Sequence, residues 1–148
     1  MMKKDRYKII PASYLVLIKN DKILLLLRKN TKYMDGYYSL IAGHVEENET
    51  ALECMIREAK EEANIEITKN DIECVHTQYR DKSGRVDFFI LCKNWKGELK
   101  NLEPDKCGGL EFFDINNLPE NMILNVKNAV LAIIEGRMYS EFSEESKE

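Results

Sequence analysis

The segment GHVEENETALECMIREAKEEANI, residues 43–65, decides the fold and determines how the rest of the chain is interpreted. From Thr50 to Ala63 the apolar residues recur at spacings of three and four, which predicts an amphipathic helix with one buried stripe. Asn64 follows the last apolar position, and asparagine readily adopts the left-handed conformation that ends a helix. The segment therefore predicts a helix with a defined end, preceded by a polar loop.

Three glutamates lie on this predicted helix at positions i, i+3 and i+4: Glu58, Glu61 and Glu62. At 3.6 residues per turn they fall within roughly a 100° arc beside the apolar stripe. Like charges at this spacing repel and destabilise an isolated helix. A hard divalent cation such as Mg²⁺ would offset the repulsion, because it takes oxygen ligands and is commonly held by carboxylates. The alternative is a solvated acidic face with Arg57 and Lys60 as ion-pair partners.

The same segment resembles the signature of the Nudix family, G-x(5)-E-x(7)-R-E-U-x-E-E-x-G-U, in which U is a bulky apolar residue. The matching residues are Gly43, Glu49, Arg57, Glu58, Glu61, Glu62 and Ile65. Two positions depart from the pattern, since Ala59 is small at the first U position and Asn64 replaces the last glycine. The resemblance implies a MutT-like hydrolase of the nucleoside-triphosphate pyrophosphohydrolase type.

The resemblance also implies a metal site. Glu58, Glu61 and Glu62 are expected to be ligands, the last two are also expected to be catalytic, and the carbonyl of Ala42 resembles a further ligand. The expected cofactor is Mg²⁺, with Mn²⁺ as a possible substitute. Divalent ions neutralise the charge of a diphosphate, polarise the P–O bond and lower the pKa of a bound water.

Other signature positions are expected to support this site. Gly43 would permit the tight loop before the helix. Glu49 and Arg57 would hold the loop and orient Glu58, and Arg57 is counted with the catalytic residues. The alternative for Arg57 is a surface ion pair with a neighbouring glutamate on the helix.

A second motif, N-x-E-P-x-K-C at residues 101–107, resembles one found in Nudix enzymes that act on nucleoside triphosphates. Glu103 is a candidate general base or further metal ligand, and Lys106 could bind phosphate or a base edge. Tyr38 and Phe89 are candidate platforms for base stacking. The alternatives are a polar surface loop for the motif and core positions for the aromatic side chains.

Outside the signature, the order of predicted elements is strands, helix, strands, helix, which indicates one α+β domain with a mixed central sheet flanked by helices, an α/β/α sandwich. The resemblance implies the Nudix fold for residues 1–139. Residues 140–148 are charged and serine-rich and are expected to form a flexible tail. The predicted strands are 12–19, 23–27, 37–42, 72–79, 86–92 and 110–113, and the predicted helices are 50–63 and 122–135.

Composition excludes several classes of protein. The 148 residues carry a formal net charge of −4, which argues against binding a nucleic acid polymer. The longest apolar runs are too short to span a membrane. The four cysteines lack C-x-x-C spacing, so a zinc site is not expected. A reduced, cytoplasmic protein is predicted, either a monomer or a homodimer.

The expected reaction is hydrolysis of a (d)NTP to (d)NMP and pyrophosphate, as nucleotide-pool housecleaning. One alternative is a hydrolase of another nucleoside-diphosphate derivative, such as a nucleotide sugar or a dinucleotide. Another is a catalytically silent nucleotide sensor of the same fold. Sensors of that kind typically lose signature glutamates, and none is lost here.

Overall fold

The computed structural model describes residues 5–144 and contains a mixed sheet with one long helix on each face. Within these residues the strands and helices are β1 (Ile10–Lys19), β2 (Lys22–Arg28), β3 (Tyr38–Ser39), β4 (Ala42–His44), α1 (Ala51–Ala63), β5 (Ile72–Arg80), β6 (Arg85–Cys92), β7 (Cys107–Asp114), α2 (Leu124–Ile134) and β8 (Tyr139–Glu141).

The strand order along the sheet is β3-β2-β1-β6-β5-β8, with β4 paired to β1 and β7 paired to β2. The pairs β1–β6 and β5–β8 are parallel and the other pairs are antiparallel. This mixture confirms the predicted sheet type. Because β1 lies at the centre, its register places the signature segment beside β6 and β5, which are distant in sequence.

Alternating side chains of β1 divide the core into two halves. Leu15 and Leu17 pack with the buried face of α1, including Met55. Val16, on the opposite face of the strand, packs with Val126 and neighbouring residues of α2. The chain is therefore the α/β/α sandwich that the sequence predicted.

Two predicted strands differ from the observed ones. The predicted strand 37–42 is two short strands, β3 and β4, which pair with β2 and β1 respectively. β7 begins at Cys107, earlier than predicted, and Gly109 pairs with Leu27 of β2. A glycine pair disfavours a strand locally, but the long pairing with β2 overrides that preference.

The prediction of a flexible tail from residue 140 is wrong for its first residues. β8 pairs in parallel with β5, and Phe142 is only 7% exposed. The buried ring of His76 also lies 2.7 Å from Ser140 Oγ. A short pairing of this kind has no hydrophobic periodicity, so the charged composition concealed it. Residues 145–148 lie outside the described residues. Neither helix within residues 5–144 has the length and apolar character to cross a bilayer.

Candidate active site

Helix α1 is fixed at both ends by its own sequence. Thr50 Oγ1 accepts a hydrogen bond from Glu53 N at 3.1 Å, and Thr50 N donates to Glu53 Oε1 at 2.9 Å, which completes a capping box. At the other end Asn64 adopts φ 62°, the left-handed conformation expected of it. The glutamates are therefore carried on a helix with defined ends.

Arg57 ties the polar loop to this helix. Its Nε and Nη2 donate to the two carboxylate oxygens of Glu49 at 2.8 and 3.0 Å, and its Nη1 donates to Glu58 Oε1 at 2.6 Å. The contact with Glu61 is longer, at 3.4 Å. Hydrogen bonds from the guanidinium lower the pKa of Glu49 to about 2. These are the contacts with the loop and with Glu58 that the sequence predicted for Arg57.

Gly43 is needed because the Glu58 side chain packs closely against it, and not because its backbone adopts an unusual angle. It is not among the glycines with positive φ. A Cβ atom at this position would overlap the carboxylate group of Glu58. The sequence-based interpretation, in which Gly43 permits a tight loop, is therefore replaced by a steric one: its missing side chain leaves the space that the Glu58 carboxylate occupies.

Glu62 has a buried carboxyl group beside the other carboxylates, and its Oε2 lacks a hydrogen-bond partner within residues 5–144. Burial, and then the negative charges of Glu58 and Glu103, raise its pKa to about 8, partly offset by a hydrogen bond from the Ala42 backbone. Burial also raises the pKa of Glu58, which the neighbouring Arg57 opposes.

These carboxylates fit a divalent cation. The donors are all oxygen, and the unpartnered oxygen of Glu62 is a group that a cation would satisfy. Within residues 5–144 no three His, Cys, Asp or Glu side chains are close enough to hold a metal ion as they stand. Glu58 is engaged by Arg57, and Glu61 is exposed to solvent. The ligand roles of these residues therefore remain predictions.

The loop that precedes β7 docks onto the C-terminal end of α1. Lys100 N donates to Ala63 O at 3.0 Å, and Leu102 N donates to Glu62 O at 3.1 Å. These bonds satisfy two of the carbonyls that a helix end leaves without partners. Glu103 follows directly, so capping of the helix also brings Glu103 towards Glu62.

The side chain of Asn101, the first residue of the N-x-E-P-x-K-C motif, bridges the backbone of later residues in the motif. Asn101 Oδ1 accepts from Glu103 N at 3.0 Å, and Asn101 Nδ2 donates to Cys107 O at 2.9 Å. Glu103 and Lys106 both line a groove of about 400 Å³ that also contains Glu62. The structure thus brings together the two residues that the sequence singled out in this motif.

A larger cavity of about 480 Å³ also has Glu62 in its lining. Its apolar walls include Ala12, Leu40, Ile123 and Val126, and its polar lining includes Arg28, Lys32, His44, Arg80, Arg85 and Asn125. Ala42 and Gly43, which lie against Glu62 and Glu58 respectively, also line this cavity. The groove and the cavity share Leu26, Arg28, Thr31 and Glu62 as lining residues, so they meet where the carboxylates are.

Of the two aromatic residues predicted to stack on a base, the choice of Phe89 is wrong. Phe89 is 0% exposed and packs in the core behind Tyr14, with ring centroids 4.9 Å apart. The ring of Tyr38 packs edge-on against Phe113 and is not among the residues that line either space. Tyr14 and Tyr33 line the cavity instead. Strand alternation gave no means of choosing between Tyr14 and its neighbour Phe89, because both point to the same side of the sheet.

Arg28 was also missed by sequence reasoning, because the predicted strand stops at residue 27, one residue before it. Its Nε donates to Tyr33 O at 2.8 Å, and its guanidinium lies 5.2 Å from the centre of the Tyr33 ring. These contacts hold the cation at the junction of the groove and the cavity. The apolar run that precedes it is the only local signal, since it marks Arg28 as the last residue of a buried strand.

Comparisons with known proteins identify the family of this chain. A sequence profile of the NUDIX domain matches residues 9–132. An ADP-ribose pyrophosphatase from Methanocaldococcus jannaschii is 37% identical over 123 residues, which cover 80% of this chain and 71% of that protein. An 8-oxo-dGTP diphosphatase from Proteus vulgaris is 27% identical over 96 residues, which cover 64% of this chain and 85% of that protein. The crystal structure of a MutT NUDIX hydrolase from Burkholderia pseudomallei has a TM-score of 0.72 at 24% identity, over 84% of this chain and 97% of that one.

The chain belongs to the Nudix family, as the glutamate helix predicted. It is a pyrophosphohydrolase, an enzyme that hydrolyses acid anhydrides. Enzymes of this family generally use divalent metal ions.

Proposed function

We propose that the enzyme hydrolyses (deoxy)nucleoside triphosphates to the monophosphate and pyrophosphate, with Mg²⁺ as its cofactor and Mn²⁺ as a substitute. The observation that carries the proposal is the pair of unequal spaces that meet at Glu62 and Arg28. The larger space combines apolar and aromatic walls with polar groups, whereas most residues that line the smaller one are charged or polar. A nucleoside triphosphate has the same asymmetry.

The nucleoside and its first phosphate fit the larger cavity, where apolar walls and Tyr14 can cover a base. The leaving pyrophosphate fits the groove, where Lys106 and Arg28 supply positive charge. The linkage to be cut then lies beside Glu62. This placement would let an acidic chain bind a polyphosphate, because Arg28 and Lys106 supply positive charge in the lining of the groove.

The glutamates that flank the junction would hold the cofactor: Glu58, Glu61 and Glu62, with the carbonyl of Ala42. A divalent cation bound there neutralises the diphosphate and lowers the pKa of a water. Glu103 faces the same groove and would accept the proton of the attacking water. Arg57 keeps Glu58 in place through the contact at 2.6 Å and would position it as a ligand.

A panel of nucleotides tests the proposal. Purified enzyme with Mg²⁺ would be incubated with dNTPs, NTPs, nucleotide sugars and dinucleotides, and the products separated by ion-exchange chromatography. Monophosphate and pyrophosphate are expected from the triphosphates. Reaction in ¹⁸O-labelled water then identifies the attacked phosphorus by the product that carries the label. Nucleoside diphosphate and orthophosphate as products would contradict the proposed placement.

ADP-ribose is a second candidate substrate, favoured by the 37% identity to the pyrophosphatase of Methanocaldococcus jannaschii. The terminal ribose phosphate would occupy the groove in place of pyrophosphate. Including ADP-ribose in the panel decides between them, because its hydrolysis releases AMP and ribose 5-phosphate. A kcat/KM for ADP-ribose above that of every triphosphate would make it the substrate.

We also propose that the enzyme acts on free nucleotides in a reduced, cytoplasmic setting, in nucleotide-pool housecleaning. The cysteines Cys54, Cys92 and Cys107 are buried, and all four cysteines are free thiols. The net charge of −4 disfavours a nucleic acid polymer as substrate. Light scattering coupled to gel filtration would distinguish the monomer from the homodimer, and a filter-binding assay with RNA would test the exclusion of polymers.

A further inference from the structure

Residues other than glycine rarely adopt a positive φ, and those that do so in this chain are unevenly distributed. Within residues 5–144, five of the seven are of types that tolerate the left-handed region: Asn20, Asp21, Asn30, Asn48 and Asn64. The two exceptions are Lys32 at φ 65° and Met34 at φ 51°. They lie two residues apart, in the loop between β2 and β3, so backbone strain is concentrated in this loop.

The two strained residues differ in what their side chains contact. Met34 is half-buried and packs against the part of the core that contains α2, so burial of its apolar surface offsets its backbone strain. Lys32 is exposed, and its ammonium group has no hydrogen-bond or ion-pair partner within residues 5–144. No contact of its own side chain therefore offsets the strain at Lys32.

The strained backbone at Lys32 is held by Asp35. One or other carboxylate oxygen of Asp35 accepts hydrogen bonds from Thr31 N at 3.0 and 3.2 Å, from Thr31 Oγ1 at 2.6 Å and from Lys32 N at 3.2 Å. The hydroxyl and then the backbone of Thr31 lower the pKa of Asp35, so this carboxylate is ionised at neutral pH. The loop is therefore fixed by its own hydrogen bonds in the conformation that strains Lys32.

This loop lies where the two spaces of the site meet. Thr31 lines both the larger cavity and the groove, whereas Lys32 lines the cavity alone. Asn30 Nδ2 also donates to Asp105 O at 3.1 Å, which joins the loop to the N-x-E-P-x-K-C motif. The ammonium group of Lys32 is thus a cation without an acidic partner in the lining of the cavity.

We propose that Lys32 binds the phosphate next to the nucleoside, the one that stays on the monophosphate product. This inference rests on the proposed function and adds a phosphate-binding residue to it. Arg28 and Lys106 line the groove in which the leaving pyrophosphate was placed, whereas Lys32 lines only the space assigned to the nucleoside and its first phosphate. Strain of this kind persists where the surrounding structure holds a residue in place for a ligand, which accounts for the φ of Lys32.

The first experiment removes the charge and keeps the backbone conformation. In Lys32→Asn the Kd of dAMP should rise about tenfold, the effect of one hydrogen bond to a charged group. Calorimetric titration in Mg²⁺ measures it, and the Kd of deoxyadenosine and of pyrophosphate should stay within twofold. Lys82→Asn is the matched control, because Lys82 is exposed and lines neither space. The same Kd for dAMP in both variants would overturn the inference.

The second experiment separates positioning of Lys32 from simple charge. Asp35→Ala removes a negative charge, which by itself would tighten the binding of a phosphate. Because it also removes the hydrogen bonds that hold Lys32, we expect the Kd of dAMP to rise a few-fold instead. Asp35→Asn keeps one acceptor oxygen and should recover part of the loss. Unchanged or tighter binding in Asp35→Ala would overturn the positioning role of Asp35.

Stability provides a measurement that is independent of any ligand. Asparagine adopts a positive φ more readily than lysine, so Lys32→Asn should have a higher melting temperature than the wild type. A lower melting temperature would contradict the strain at Lys32.

Binding also separates this inference from the proposed function. Weaker binding of dAMP by Lys32→Asn, together with no hydrolysis of any triphosphate by the wild type, would support the role of Lys32 and contradict the reaction. Hydrolysis of triphosphates by the wild type, together with equal Kd values for dAMP in the wild type and Lys32→Asn, would support the reaction and overturn the role of Lys32.

Discussion

The glutamate end of the site comes from one continuous segment, residues 43–65, whereas the lining of the larger cavity draws on distant segments that include β1, β2, β5, β6 and α2. In the first region a helix, its caps and one arginine position every charged group within a few turns. In the second, residues such as Arg80 and Asn125 meet only because strands and a helix pack together. The residues predicted to hold the metal are therefore close in sequence, whereas the residues that line the larger cavity come from distant segments.

The largest expected effect tests whether the local region acts through a metal. Excess chelator should abolish hydrolysis, because the glutamates alone cannot neutralise a diphosphate, and Mg²⁺ or Mn²⁺ should restore it. The rate of pyrophosphate release is the measurement. Full activity in chelator would show that the glutamate helix is not a metal site.

The next largest effect is the loss of kcat that follows removal of one predicted metal ligand. Glu62→Gln should lower kcat by orders of magnitude while leaving the circular dichroism spectrum unchanged, because it removes a charge and preserves the shape. Glu61→Gln should behave similarly despite its exposure to solvent. Steady-state kinetics measure both. Wild-type kcat in either variant would remove that residue from the ligand set.

Glu103 tests the boundary between the two regions. It is distant in sequence from residues 43–65, but the loop that carries it docks onto the C-terminal end of α1. Removing a general base typically costs about a hundredfold to ten-thousandfold in rate. Glu103→Gln should therefore lower kcat within that range and leave KM within a few-fold. As a control, Asp105→Asn changes a carboxylate in the same loop that does not line the groove. Equal kcat for the two variants would indicate that the motif has a structural role and that Glu103 is not the general base.

A smaller effect is expected from Arg57→Lys. Lysine keeps the charge but cannot donate two bonds to Glu49 and a third to Glu58, as the guanidinium does. Loss of a residue that orients a metal ligand typically costs about tenfold to a hundredfold. The apparent affinity for Mg²⁺, measured from the metal dependence of the rate, should fall together with kcat. A loss of kcat at unchanged metal affinity would argue against positioning of Glu58.

The smallest effect concerns the free energy of unfolding of the metal-free enzyme, measured in the presence of chelator. The pKa of Glu62 is raised from 4.5 to about 8, so the folded state binds this proton more tightly than the unfolded state. Its contribution to stability is complete below pH 4.5 and is lost as the pH rises through about 8. Glu62→Gln cannot titrate and should be more stable than the wild type at pH 8 in chelator. Urea unfolding at pH 5 and pH 8 measures the difference, and an identical pH dependence in both proteins would contradict the burial of this charge.

The sequence was informative wherever the determining contacts are short in range. The helix with its left-handed end at Asn64, the contacts of Arg57 with the loop and with Glu58, and the position of Glu103 beside Glu62 in one groove agree with the predictions. The predicted tail and the stacking role of Phe89 failed for the same reason. Each depended on which surface a strand contacts, and composition does not contain that information.

By itself, the sequence determined the family, the α/β/α architecture and the residues of the glutamate helix, because helical periodicity and capping act within a few residues of one another. Only the tertiary structure decided that Arg28 lines two adjoining spaces and that Arg80 and Asn125 line one of them. The parallel pairing of β1 with β6 and the packing of α2 over β5 bring these residues together. Contacts between segments so far apart depend on the register of the whole sheet, which no local pattern specifies.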